Sequence, residues 1–203
     1  MGWRLAAIAI LTIIECVSAG IRLRYREINR LPEGVKAGIL LEAGFDQVAP
    51  NLPCLISSWA FDQAQASGIQ GLADNRAYGL PCCEPGFTLV EKLQTISTKF
   101  RRQQETGEMP ANFMRHYYDV HCLLADPKVQ EFIGTAAYHE HKDRRFRQGD
   151  EKELRRTQAF LLDDRPTRDA YKRAYLGTLA LYYREQPSFD HLPERLSQNL
   201  DRL

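Results

Sequence analysis

The chain lacks an excess of either charge, a metal-type cysteine spacing and an apolar run long enough to cross a bilayer, and each absence removes a class of function. With 27 Lys and Arg against 26 Asp and Glu, the formal net charge is +1, so no global field draws the protein to a polyanion. The five cysteines, Cys16, Cys54, Cys82, Cys83 and Cys122, are an odd number without a C-x-x-C pair. They read as reduced thiols in a reducing compartment rather than as a disulfide framework, and a tetrahedral zinc site lacks its paired ligands. Cys122 near His116 and His121 has two readings, a metal site or a helix face with packed aromatics, and the second needs less. No internal repeat or low-complexity tract interrupts the sequence. The apolar run Leu5 to Ile14 is shorter than the roughly 20 residues a spanning helix needs, so no membrane partner is expected. Arg4 before it and Val17-Ser18-Ala19 after it have the layout of a secretory signal. Glu15 and the odd cysteine count speak against export, and a buried helix or an out-of-frame start are the other readings of residues 1–20.

What is present is enough to build a core. A chain of 203 residues, 44% hydrophobic and 26% charged, supports one domain or a domain and a half. Ile21 to Arg26 alternates strictly, which predicts a half-exposed strand carrying Arg22, Arg24 and Arg26 on one face. After the Leu31-Pro32-Glu33-Gly34 turn, Val35 to Ala43 reads as a buried strand ending at Gly44. Glu42 stands out in it, because a buried carboxylate has to be paired or liganded; Lys36 and Arg24 are its candidate ion-pair partners. From Asn51 to Pro85, prolines and glycines cut the chain into a connecting region with one strand at Cys54 to Trp59.

Helices are expected from about Thr88 to Glu105, Ala111 to Leu124, Pro127 to His139 or beyond, Glu151 to Leu161, Arg168 to Gln186 and Leu192 to Leu200. Thr88 before Glu91 predicts a capping-box start, and Thr106-Gly107 a stop. Asp163-Asp164 before Pro166 reads as a turn or helix cap. Strands followed by helices make the pattern α+β. His139 to Arg147 is the densest charge cluster, read either as a solvated helix end or as an RNA contact, and the stripe Tyr171, Tyr175, Leu179, Tyr182 and Tyr183 reads as core.

The most informative feature lies on the first two of those helices. Leu89, Leu93, Ile96 and Phe100 form one apolar stripe, with Lys92 and Lys99 seven apart beside it. On the second, Phe113, Tyr117, Val120 and Leu124 form the stripe, while Arg115 and Asp119, four apart, are placed to pair on the neighbouring face. A Lys and an Asp are thereby brought to the border of one cleft.

Glu91-Lys92-Leu93 followed by Arg115-His116-Tyr117-Tyr118-Asp119 resembles the C-terminal half of the nucleotidyltransferase AbiEii/AbiGii toxin family, whose chains carry an E-K-L helix and then an R-x-x-Y-D helix. Ile39 to Asp46 and Ile56-Ser57-Ser58-Trp59 also look like the family's central strands and their connection, so the likeness is taken to run from about Ile21 to the C-terminus. It implies an incomplete nucleotidyltransferase-like mixed sheet followed by a C-terminal helical bundle: an apolar segment at 1–20, a remnant of the sheet at 21–85 and a helical region at 86–203.

The family's G-G/S segment and the D-x-D pair that holds the nucleotide's Mg²⁺ do not occur in these residues. Nucleotidyl transfer needs closely spaced carboxylates for that ion. The expectation is therefore an N-terminally shortened toxin of a toxin–antitoxin or abortive-infection system, cytoplasmic and inactive alone, the alternative being a non-catalytic helical module that binds a nucleotide, RNA or the antitoxin. By resemblance, Lys92 neutralises a nucleoside triphosphate with Lys99 and Arg115 in the nucleotide site. Asp119 is base or acceptor-orienting group, Glu42 the third metal-binding carboxylate, and the partners are the triphosphate, an RNA acceptor and a cognate antitoxin. A structural ion-pair network is the other reading of Lys92 and Asp119.

Overall fold

The computed structural model describes residues 18–24, 30, 31, 36–44, 49–178, 182 and 186–203. The calls on residues 1–17, on Arg26, on most of the 31–34 turn and on Leu179 and Tyr183 fall outside them. The architecture is α+β, and the described residues divide into two compact units. One comprises the described parts of Met1–Val48 with Leu176–Gln186, the other Ala49–Tyr175 with Pro187–Leu203.

The first unit contains an antiparallel pair, β1 (Ser18–Leu23) and β2 (Ile39–Gly44), with Ile21 opposite Leu41 and Gly20 opposite Glu42. The alternation at Ile21 is thus in a strand, as expected. The following strand is shorter than Val35 to Ala43 and solvent-exposed along its whole length, which corrects the reading of it as buried. A run of Ile and Leu marks β propensity as readily as burial, and the exposure removes the penalty that had singled out Glu42.

The second unit opens on another antiparallel pair, β3 (Asn51–Ile56) and β4 (Ala77–Cys83), with α1 (Trp59–Ala66) between the strands. Ser58 caps α1, its hydroxyl accepting from Phe61 N at 3.1 Å. Here the sequence reading saw one strand in a connecting region and missed both α1 and β4. The prolines misled it. Pro53 lies directly opposite Pro81, and in a two-stranded sheet each strand is an edge, where a residue without an N–H is tolerated if that side faces outward.

The rest is helical. It comprises α2 (Pro85–Thr106), α3 (Arg115–Leu123), α4 (Pro127–Phe132), α5 (Ala136–Arg145), a 3₁₀ turn at Leu154–Arg156, α6 (Gln158–Leu161), α7 (Arg165–Leu176) and α8 (His191–Ser197). The long helix begins three residues before the predicted capping box, because Pro85 has its φ preset for a first turn. Its C-terminus is where the sequence put it, with Gly107 left-handed at φ 73°. The helix expected over Pro127 to His139 is two helices. Gly134 turns at φ 83°, and Thr135 restarts the chain by accepting from Tyr138 N at 3.2 Å. Asp164 does cap the start of α7, accepting from Thr167 N at 2.9 Å.

The helix α2 is the spine, contacting α3, α4, α5 and α6. Leu89, Leu93 and Ile96 are fully buried, as are Tyr117 and Val120 of α3, so both predicted stripes meet in one core. Each such large side chain contributes about 1.5–3 kcal/mol by leaving water. The core is rich in tyrosines whose hydroxyls all find acceptors: Tyr117 donates to Ala159 O at 2.6 Å, Tyr138 to Leu203 O at 2.6 Å and Tyr171 to Gln103 Oε1 at 2.7 Å. Phe113, Tyr117 and Tyr171 pack edge to face, with centroids 5.4–5.7 Å apart, the geometry that the ring quadrupoles favour.

Polar ties fix the flanks of α2. Glu91 accepts from Arg145 Nε at 2.7 Å and lies 2.9 Å from His141 Nε2. Asp150, whose side chain is fully buried, accepts from Arg101 Nε at 3.0 Å and from Thr98 Oγ1 at 2.5 Å. At the first turn, α2 and α4 approach so closely that a Cβ on Gly86 would sit 2.5–3.0 Å from Cδ1, Cγ and Cβ of Phe132. Gly86→Ala is therefore expected to destabilise the fold by about 1–3 kcal/mol through overpacking. Urea unfolding should show that loss, and combining the change with Phe132→Leu should restore part of it.

Candidate functional site

The ladder of residues along one edge of α2 faces the N-terminal half of α3. Lys92 and Lys99 are two helical turns apart, about 10 Å along the axis, and each reaches a different residue of α3. Lys92 Nζ donates to Asp119 Oδ2 at 2.7 Å, both side chains about one-third exposed. Oδ1 of Asp119 has no hydrogen-bond donor among the described residues. The Lys and the Asp that the sequence placed at the border of one cleft are thus in direct contact. The expected Arg115–Asp119 pair along α3 does not form, because Lys92 takes the carboxylate; Arg115 itself is solvent-exposed.

One turn before Asp119, His116 is buried, with 6% of its surface exposed. Its Nε2 lies 3.0 Å from Lys99 Nζ. Burial pushes the imidazole down to about 3, with the charges of Lys99, Lys92 and Arg115 acting in the same direction. The ring is neutral at physiological pH, so its Nε2 accepts from the Lys99 ammonium and its proton sits on Nδ1. Among the described residues that buried Nδ1 has no hydrogen-bond partner, and a buried polar atom left so costs about 1–3 kcal/mol. The ammonium of Lys99 is in turn lowered from its usual range, first by burial and then by Arg115 and Lys92. Among the described residues, the carboxylate that joins this group is Asp119, and it is held by Lys92. A half-buried Lys beside two like charges and without a carboxylate of its own is a strained arrangement.

The contact of His116 with Lys99 was missed in the sequence, where the ring was weighed as a metal ligand or, in preference, as part of a helix face with packed aromatics. Its position three before Asp119, on the same face of the helix, was the available signal. His121, the other histidine of that reading, points elsewhere, since five residues along a helix turn the side chain by about 140° net. With His191, Glu194, Arg195 and Gln198 of the α8 region it lines an open pocket of about 290 Å³, and its Nδ1 lies 3.2 Å from His191 O. Cys122 is exposed. The two histidines and Cys122 are therefore not gathered on one ion, and among the described residues no three His, Cys, Asp or Glu side chains form a metal-binding group.

Nor do the described residues assemble a carboxylate group suited to Mg²⁺. Glu42 sits exposed on β2, with no ion pair to Lys36 or Arg24 among the described residues, and Asp119 is held by Lys92. The charge cluster from His139 to Arg147 is partly consumed internally, as His141 and Arg145 both engage Glu91. No described helix is long and apolar enough to cross a membrane.

The neutral state of His116 has a consequence for acid stability. The unfolded chain takes up a proton near the ordinary imidazole value of 6.5, whereas the folded chain does so only near 3. Between those values the unfolded state binds more protons, so this group's contribution is intact above pH 6.5 and is lost as pH falls toward 3. Urea unfolding of wild type and His116→Gln at pH 7, 6 and 5 should show wild type losing more stability with each step. Equal losses would show that the ring is not held neutral.

Residues 6–195 match the family described as Nucleotidyl transferase AbiEii toxin, Type IV TA system. The match begins upstream of Ile21, where the resemblance in the sequence was taken to start. No curated protein and no solved structure matches the chain. With nearly its whole length covered by that match, the chain belongs to the nucleotidyl transferase AbiEii toxin family of type IV toxin–antitoxin systems.

Proposed function

We propose that the α2–α3 site binds the phosphates of a nucleoside triphosphate, with Lys99 and Arg115 supplying uncompensated charge and the Lys92–Asp119 pair standing at the reacting end. The observation that carries this reading is Lys99. Its ammonium is half-buried, close to two other cations, and its described partner is a neutral imidazole rather than a carboxylate. Lys152, by contrast, meets the carboxylate of Asp143, 2.7 Å away. Lys99 instead keeps its charge available to a ligand.

In this reading Lys92 has two uses. It holds the Asp119 carboxylate in one orientation, and it is close enough to share a phosphate oxygen when the pair loosens. Asp119, with Oδ1 open toward an acceptor hydroxyl, orients that hydroxyl or takes its proton. Family membership implies a nucleotide substrate and an antitoxin partner; an RNA acceptor and a cytoplasmic location are our extension of it. Mg²⁺ is proposed to arrive with the triphosphate. The described residues do not themselves assemble a carboxylate set for the ion. The same observation, with the lack of any D-x-D pair in the sequence, favours a second reading of this chain on its own: it binds nucleotide without transferring it.

Calorimetric titration of the full chain with each of the four nucleoside triphosphates tests the first step. Lys99→Met should weaken binding about tenfold or more, the worth of a charge-assisted hydrogen bond. Its stability in urea should be equal or higher, because removing a cation from a cluster of cations relieves repulsion. Unchanged affinity in Lys99→Met would overturn the assignment. Asp119→Asn should keep most of the affinity while abolishing any labelled nucleotidyl transfer. If wild type with Mg²⁺ shows binding and no transfer, the binding-only reading holds for this chain.

A further inference from the structure

We propose that His116 is a positioning residue for the Lys99 ammonium, a buried neutral acceptor that fixes where this cation stands without cancelling its charge. The inference rests on the phosphate-binding reading of Lys99 and adds to it a part played by a residue that need not touch the ligand.

Two lysines on one edge of α2 meet the same helix in two chemically different ways. Lys92 meets a carboxylate at 2.7 Å, so pair formation both orients and neutralises it. Lys99 meets an imidazole nitrogen at 3.0 Å. An ammonium has three N–H donors, and an imidazole lone pair occupies one of them. Two donors and the full positive charge remain for an entering anion. A flexible four-carbon side chain otherwise samples many rotamers, and ordering it on binding costs affinity. An acceptor built into the core removes part of that cost beforehand.

The surroundings of the ring leave one protonation state open to it. Lys99 and Lys92 face it from α2, and Arg115 is its neighbour on α3; a proton on Nε2 would point at the Lys99 ammonium. The Nδ1–H form is the one that keeps the 3.0 Å contact attractive. The ring holds that form although Nδ1 finds no acceptor. A core optimised for stability alone would fill the position with an apolar side chain, whereas the retained imidazole serves the lysine beside it.

The test uses the full chain and inorganic triphosphate as the probe. In wild type, ¹⁵N NMR of the histidine rings should show His116 Nε2 unprotonated and Nδ1 protonated across pH 5 to 8. Titration calorimetry should show His116→Leu weakening triphosphate binding about fivefold to tenfold, and His116→Gln, whose Oε1 can take the place of Nε2, staying within about twofold of wild type. Adding His116→Leu to Lys99→Met should cost nothing further, since both changes remove one device. A His116→Leu affinity equal to wild type, with Lys99→Met still weak, overturns the positioning role and leaves the phosphate site standing. Equal affinity in wild type and Lys99→Met removes the phosphate site itself, and this inference with it. Should His116→Leu fail to fold, the ring decides: a protonated Nε2 in wild type overturns the proposal, and the Nδ1–H form with an active His116→Gln supports it.

Discussion

The helical body depends on how α2 places its charges. A 22-residue helix that contacts four others cannot send its long polar side chains straight into solvent on most sides. They must leave along the seams between neighbours. Glu91 exits toward α5, Lys92 and Lys99 toward α3, and Arg101 toward the Asp150 loop. Three of the four end on an opposite charge. Each of those contacts also fixes the rotation of a neighbouring element about α2, because a stripe of Leu and Ile alone tolerates small slips that a 2.7–3.0 Å ion pair does not. The exception, Lys99, is where the packing logic gives way to chemistry.

This arrangement explains why the helical half was legible in the sequence and the strand half less so. Leu89, Leu93 and Ile96, with Phe113, Tyr117 and Val120, recur at helical spacing and are all buried, so periodicity alone located the core. Asp119 and Lys92 could be placed on facing edges from the same spacing. What periodicity cannot show is which of two charges a carboxylate chooses. Asp119 lies one turn from Arg115 yet pairs across to Lys92, a choice made by tertiary approach. The partner of His116 escaped the sequence for a related reason: the spacing placed the ring on the face of Asp119, but the lysine it meets lies 17 residues away.

The strands failed differently. Ile39, Leu40 and Leu41 looked like interior residues and are exposed, because β-branched and aliphatic composition reports strand preference before it reports burial. Pro53 and Pro81 looked like breakers and lie inside a ladder. In both cases a rule derived from central strands was applied to two-stranded pairs, which have only edges.

That pairing of prolines bears on how the protein behaves in a crowded solution. Leu52, Leu55, Ile56, Tyr78 and Leu80 expose apolar surface on the β3–β4 pair, and an open rim beside such side chains is a template on which another extended chain can add. Two facing residues that both lack an N–H must turn their bond-free sides outward. A chain arriving on either rim then meets a carbonyl without its matching donor halfway along the strand. Runaway stacking of copies is interrupted at that point of the ladder.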